Sequence, residues 1–107
     1  MKLSIIMPAF NEESRIKQAI EEVQKVDFSR LGYSKELIVV NDGSTDNTAR
    51  VLKGIRGIAL ISYPKNRGKG FALRKGFAAA KGDVIVVQDA DLEYPPETLK
   101  KLLKEMA

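Results

Sequence analysis

Four short runs of apolar residues, each opening directly into a polar cluster, recur along this chain with helix-like patterns between them: Lys2 to Met7, Glu36 to Val40, Ile58 to Ser62 and Val84 to Val87. They are apolar at successive positions instead of alternating, as strands are when both sheet faces are covered. Between them the spacing turns helical. Ile16, Ile20 and Val23 recur behind Asn11, a candidate N-cap, and Ala49 and Leu52 stand behind Thr45 or Asp46 and before Gly54. Gly68 to Lys81 is an Ala-rich segment with Leu73, Phe77 and Ala80 on one face and Gly82 at its end. Pro95 and Pro96 open a last helix, whose Leu99, Leu102, Leu103 and Met106 follow the spacing of a core-facing stripe. This order predicts an α/β fold, a Rossmann-like parallel sheet of about four strands with helices on both faces and Pro8 ending the first strand.

In such sheets ligands lie beyond the carboxyl ends of the strands, near the point where strand order reverses. Pro8 to Glu12, Asn41 to Asp46 and Asp89 to Glu93 each follow a strand directly, so the polar chemistry of the chain is expected at one end of the sheet.

The 107 residues fit one domain. No apolar run approaches the ~20 residues that span a bilayer, and the opening segment lacks a signal-peptide pattern, so a cytoplasmic location is expected. With neither Cys nor His, disulfides, the usual zinc sites, and thiol or imidazole catalysis are excluded. The net charge is +4, and the cations are interspersed with acids except between Lys65 and Lys75, where Lys65, Arg67, Lys69, Arg74 and Lys75 gather. A local phosphate site fits that cluster better than a nucleic-acid footprint, which needs a wider basic face.

Asp89 and Asp91, one residue apart just past a buried strand, can share a hard divalent cation such as Mg²⁺ or Mn²⁺, with Glu93 as a third ligand, direct or through water. The plain alternative is a pair of turn-forming aspartates. Asn41 to Asp46 makes a good turn and helix cap, with Gly43 suited to positive φ, yet Asp42 at the strand end is also placed to accept hydrogen bonds from a nucleobase. Asn11 and Glu12 suit the start of a helix. Lys65-Asn66-Arg67-Gly68-Lys69-Gly70 combines cations, glycines and a helix start, which suits a diphosphate. It is not a P-loop, since Tyr63 and Gly70 occupy positions that need Gly and Ser or Thr. Nor is it a dinucleotide fingerprint, since Leu73 replaces the third glycine.

Pro8-Ala9-Phe10-Asn11-Glu12, Asn41-Asp42-Gly43-Ser44-Thr45-Asp46, Asn66-Arg67-Gly68-Lys69-Gly70 and Asp89-Ala90-Asp91, in this order, resemble the inverting family 2 glycosyltransferases. The likeness is greatest to the dolichyl-phosphate mannosyltransferases and related polyprenyl-phosphate sugar transferases, whose Asp-Ala-Asp-Leu segment runs on to two prolines, here Glu93-Tyr94-Pro95-Pro96. The resemblance covers essentially all 107 residues and implies the N-terminal, nucleotide-binding half of a GT-A fold, with the acceptor half absent. It implies that Pro8, Ala9, Phe10, Asn11 and Glu12 surround the nucleoside, that Asp42 and Gly43 meet the base, and that Lys69 and Ala90 lie along the nucleotide. It further implies that Asp89 and Asp91 are the catalytic, metal-holding pair on the diphosphate of a GDP- or UDP-linked sugar. A polyprenyl phosphate is the implied acceptor, engaged through the missing half at the cytoplasmic face of a membrane.

Two other readings remain open at this stage. A haloacid-dehalogenase-like phosphohydrolase also carries Asp-x-Asp after an apolar strand, and a non-catalytic, self-associating fragment needs no chemistry at all. If the fourth strand is a sheet edge, its apolar residues invite pairing with a second copy, and a homodimer is expected.

Overall fold

The computed structural model describes residues 1–106. Its elements are β1 (Lys2–Ala9), α1 (Ile16–Lys25), a 3₁₀ turn (Ser29–Leu31), β2 (Ser34–Asp42), α2 (Thr48–Lys53), β3 (Ala59–Tyr63), α3 (Lys69–Ala79), β4 (Val84–Val87) and α4 (Thr98–Met106). The four strands form one parallel sheet in the order β3-β2-β1-β4. Three strands step outward in one direction and β4 returns to the other side of β1. The reversal of strand order therefore lies between β1 and β4, where such folds open a crevice.

The central strands are apolar at nearly every position because both faces are covered. Leu3, Ile5 and Met7 join α1, Leu52 of α2, and Leu99 and Leu103 of α4 in the larger core. Ile6, Ile38 and Val40 face the other way, onto Ala72 of α3. Each such buried aliphatic side chain contributes about 1.5–3 kcal/mol, so β1 and β2 carry the largest share of the stabilising burial.

β1 runs through Pro8 to Ala9, two residues beyond the expected stop. Proline is tolerated there because of the register. Gln88 N–H donates to the Ile6 carbonyl at 2.9 Å, so Ile6 faces β4, and Pro8, two residues on, faces the same side. β4 pairs only as far as Val87 opposite Ile6, so no ladder bond awaits the missing Pro8 N–H.

Two expected helix faces also differ. On α3 the fully buried positions are Ala72 and Gly76, the expected Leu73 and Ala80 are half-buried against the same cluster, and Phe77 is 46% exposed. The helix lies so close to the sheet that a Cβ on Gly76 would stand 2.5 Å from Ile6 Cγ2, so small residues set the contact. On α4, Leu99 and Leu103 are buried while Leu102 and Met106 are exposed. The sheet stops at β4, and nothing among the described residues extends to cover them. The same edge leaves Ile85 and Val87 of β4 39% and 38% exposed.

Candidate functional site

Four loops meet at the carboxyl end of the sheet around a cleft of about 470 Å³. β1 ends in Pro8, Ala9 and Phe10, with Glu12 beyond. β2 ends in Asp42, the turn before α3 contributes Asn66 and Gly68, α3 adds Lys69 and Ala72, and β4 leads into Asp89, Ala90, Asp91 and Glu93. Of the site residues expected from sequence, Asn11 and Gly43 are the ones that do not line it. Asn66, Gly68 and Ala72 are additions. The first two lie inside the Asn-Arg-Gly-Lys-Gly motif, whereas Ala72 carries no sequence signal.

Asn11 is not a helix cap. Its φ is +52°, and α1 begins only at Ile16, preceded by a turn in which the Glu12 carbonyl accepts the N–H groups of Arg15 and Ile16. Asn11 Oδ1 instead accepts the backbone N–H of Thr45 at 2.8 Å and of Asp46 at 3.3 Å, while its own N–H donates to Ser44 Oγ. Glu12 N–H donates to Thr48 Oγ1 at 2.9 Å. The loop after β1 is thereby fastened to the loop after β2. Within the second loop, Asp46 Oδ1 accepts both the N–H and the hydroxyl of Thr48, at 2.9 and 2.5 Å, at the start of α2. Burial alone would raise the Asp46 carboxyl, but these bonds outweigh it and hold it below its ordinary range.

Asp42 is 4% exposed, and its carboxylate accepts four hydrogen bonds. Oδ1 takes the Tyr63 hydroxyl at 2.7 Å and the Arg67 N–H at 2.9 Å, and Oδ2 takes the Gly68 N–H at 2.9 Å and Asn66 Nδ2 at 3.0 Å. This fills the four sites a carboxylate offers. Asp42 thus folds the turn before α3 onto the end of β2, and a nucleobase would reach it only by displacing one of these donors. Burial, with the Asp42 carboxylate second, raises the Tyr63 hydroxyl well above its ordinary pKa, so it stays a donor at all ordinary pH. Gly43 serves the same packing. Its φ is +62°, and a Cβ there would stand 2.2 Å from the Asn66 backbone nitrogen.

Lys69 Nζ lies 2.8 Å from Asp89 Oδ1 across the cleft. Asp91 Oδ1 accepts the Glu93 N–H at 3.1 Å in a local turn. Gln88, buried at the foot of this loop, donates its side-chain amide to the Tyr94 carbonyl at 2.8 Å and so joins the loop's two ends. Among the described residues no three acids are gathered into one ready-made ligand set. The donor chemistry nevertheless fits a hard divalent cation, because Asp89, Asp91 and Glu93 line one cleft and their side chains offer only carboxylate oxygens as ligands. Mg²⁺ in particular is usually held by one or two carboxylates plus substrate phosphates.

Comparison with known proteins identifies the family and the fold. The sequence model described as "Glycosyl transferase family 2" matches residues 4–107. The dolichol-phosphate mannosyltransferase of Pyrococcus furiosus is 36% identical over 107 residues, which are 97% of this chain and 30% of that protein. An undecaprenyl-phosphate 4-deoxy-4-formamido-L-arabinose transferase of Proteus mirabilis is 36% identical over 107 residues, 95% of this chain and 32% of that one. Among solved structures, a mannosyltransferase of Pyrobaculum calidifontis in complex with GDP-Man and Mn²⁺ superposes with a TM-score of 0.79 at 29% identity, over 98% of this chain and 32% of that one. The chain thus spans about a third of the length of the relatives it matches.

Proposed function

From a chain that belongs to glycosyl transferase family 2, we propose a domain that binds a sugar nucleotide of the GDP-mannose or UDP-glucose type, with Mg²⁺ or Mn²⁺, for inverting transfer of the sugar to a polyprenyl phosphate by the whole enzyme. The observation that carries this reading is the meeting of Lys69 with Asp89, Asp91 and Glu93 in the cleft walled by Pro8, Ala9 and Phe10. The Pyrobaculum relative named with GDP-Man and Mn²⁺ supports the donor class, and the relatives named for dolichol phosphate and undecaprenyl phosphate support the acceptor class. The family match leaves the phosphohydrolase reading without support.

In this reading the apolar wall of Pro8, Ala9 and the half-exposed Phe10 packs on the nucleoside and keeps water from its flat faces. Asp89 and Asp91, with Glu93, would hold the cation. A bound divalent cation supplies a positive charge that stabilises the leaving diphosphate without a proton. Lys69 exchanges Asp89 for a phosphate oxygen and adds a second positive charge where negative charge develops. The bond from the anomeric carbon to the diphosphate oxygen breaks as an oxygen of the acceptor phosphate bonds from the opposite side. That acceptor is already anionic and needs no strong general base. The short, exposed β4 edge is also a pairing surface, and a homodimer through it is part of the proposal.

Isothermal titration calorimetry with GDP-mannose and UDP-glucose, each with and without Mn²⁺, tests the reading. Metal-dependent binding of at least one is expected. Failure of both to bind with Mn²⁺ present overturns it.

A further inference from the structure

A second concavity, of about 290 Å³, lies against edge strand β3 and the start of α3 and shares no lining residue with the cleft. Tyr63 and Phe71 form its apolar wall, packed edge to face with ring centroids 5.2 Å apart. Three cations surround that wall. The Arg67 guanidinium lies 5.8 Å from the centre of the Phe71 ring, the Lys75 ammonium lies 5.4 Å from it, and Lys65 lines the same hollow.

No acidic side chain lines this concavity, and among the described residues none of the three cations is paired with a carboxylate. Of the 18 Lys and Arg residues only Lys2, Arg15, Lys25, Lys69 and Lys100 have an acid within 4 Å among the described residues, so it is the shared aromatic wall, more than the lack of a partner, that sets Arg67 and Lys75 apart. An aromatic face attracts a cation but carries no net charge, so the repulsion between the exposed Arg67 and Lys75 is reduced only by water and salt. An anion between them would remove that repulsion, and a flat apolar body attached to it would cover the ring wall.

We propose that the groove bounded by Tyr63, Lys65, Arg67, Phe71 and Lys75 is a second ligand site, specific for a phosphate monoester carried on an aromatic body. Lys65, Arg67 and Lys75 take the phosphate, with Arg67 able to bind it in bidentate fashion. Phe71 takes the ring. The site is separate from the donor cleft. The two share a wall, because the Tyr63 hydroxyl and the Arg67 N–H both donate to Asp42 while their side chains line the groove.

The test is a ¹H–¹⁵N NMR titration of the 107-residue chain with phenyl phosphate, and separately with inorganic phosphate. Phenyl phosphate is expected to shift the amides of Lys65, Arg67, Phe71 and Lys75, and to bind at least five-fold more tightly than inorganic phosphate. Lys75→Gln should weaken phenyl phosphate several-fold. Phe71→Leu should abolish its advantage over phosphate. Amides of β1 and β2 that stay in place show that each variant is folded. Shifts confined to Lys69 and Asp89 to Asp91, or equal affinity for the two probes, overturn the proposal. A parallel titration with GDP-mannose and Mg²⁺ separates the two sites. Silence of Ala9, Asp89 and Asp91 there would count against the donor reading and leave the groove standing.

Discussion

The Tyr63 hydroxyl donates to Asp42 Oδ1 at 2.7 Å, joining the end of β3 to the end of β2 beneath the cleft. Because Asp42 also holds the N–H groups of Arg67 and Gly68, this contact helps fix where α3 starts and where Lys69 stands. Asp42→Ala would strand these donors at a site that is almost wholly buried. A loss of about 3 kcal/mol or more is expected, against about 1 kcal/mol for Tyr63→Phe, read from urea unfolding midpoints at constant m.

The carboxylates of the β4 loop should behave in the opposite way. Asp89 and Asp91 are not buried, and neither supports the core. Asp89→Asn and Asp91→Asn should leave the melting temperature within a few degrees while lowering Mn²⁺-dependent sugar-nucleotide affinity at least ten-fold. A calorimetric titration and a thermal melt on the same sample separate the two effects, and equal loss of stability and binding would contradict the assignment.

Two glycines with positive φ offer a controlled comparison. Gly32 (φ +85°) has no atom within 4 Å of the point where a Cβ would stand, so Gly32→Ala carries only the backbone cost, about 1–2 kcal/mol. Gly43→Ala carries that cost plus a collision with the Asn66 backbone, which no rotamer relieves. It should cost at least twice as much in chemical denaturation and should disorder the turn that presents Gly68 and Lys69.

Glu36 predicts an acid limb in stability. Burial alone would raise its pKa, but the Ser4 hydroxyl at 2.5 Å, the Lys81 N–H at 2.7 Å and the charges of Lys2 and Lys81 outweigh burial and lower it. A carboxyl depressed on folding adds stability above its unfolded pKa, near 4.5, and loses it as pH falls through the lower folded value. Asp46 follows the same sign. Stability should therefore be level from pH 7 to about 5 and decline below that. Glu36→Gln should flatten part of the decline in denaturation curves recorded between about pH 3 and 7.

The exposed edge of β4 predicts self-association. Light scattering at high micromolar concentration should show a dimer, and Val87→Lys should return it to a monomer. A monomeric parent chain under those conditions would contradict edge pairing.

β1 and β2 are readable from sequence because burial on both faces leaves a nearly unbroken apolar run, β3 and β4 are readable as short apolar runs although they lie half-exposed at the sheet edges, and the polar clusters that follow the strands do meet at one end of the sheet. The helix faces are less readable. On α3 the closest contact is made by Ala72 and Gly76, which mark a close approach by what they lack, while Leu73 packs at the margin of the same cluster and the larger Phe77 points away from it. Leu102 and Met106 fit a core stripe by spacing, but spacing cannot tell that the sheet ends at β4. Asn11 misleads for a different reason. A cap is a local hydrogen bond, and its actual partners lie more than thirty residues away in the loop after β2. The four bonds to Asp42 are hidden in the same way, since Tyr63 reads as the end of a strand.

The return of β4 to the far side of β1 predicts an order of assembly. β1, β2 and β3 pair through successive strand–helix–strand units, whereas the bonds between Lys2 and Asp83 close a separation of 81 residues. The entropy lost in closing a loop grows with its length, and long-range parallel pairing is slow. The strand that leads into Asp89 and Asp91 is therefore expected to dock last, so that the cleft would gain its acidic wall in the closing step of folding, an order that pulse-labelled hydrogen exchange of the β4 amides would test.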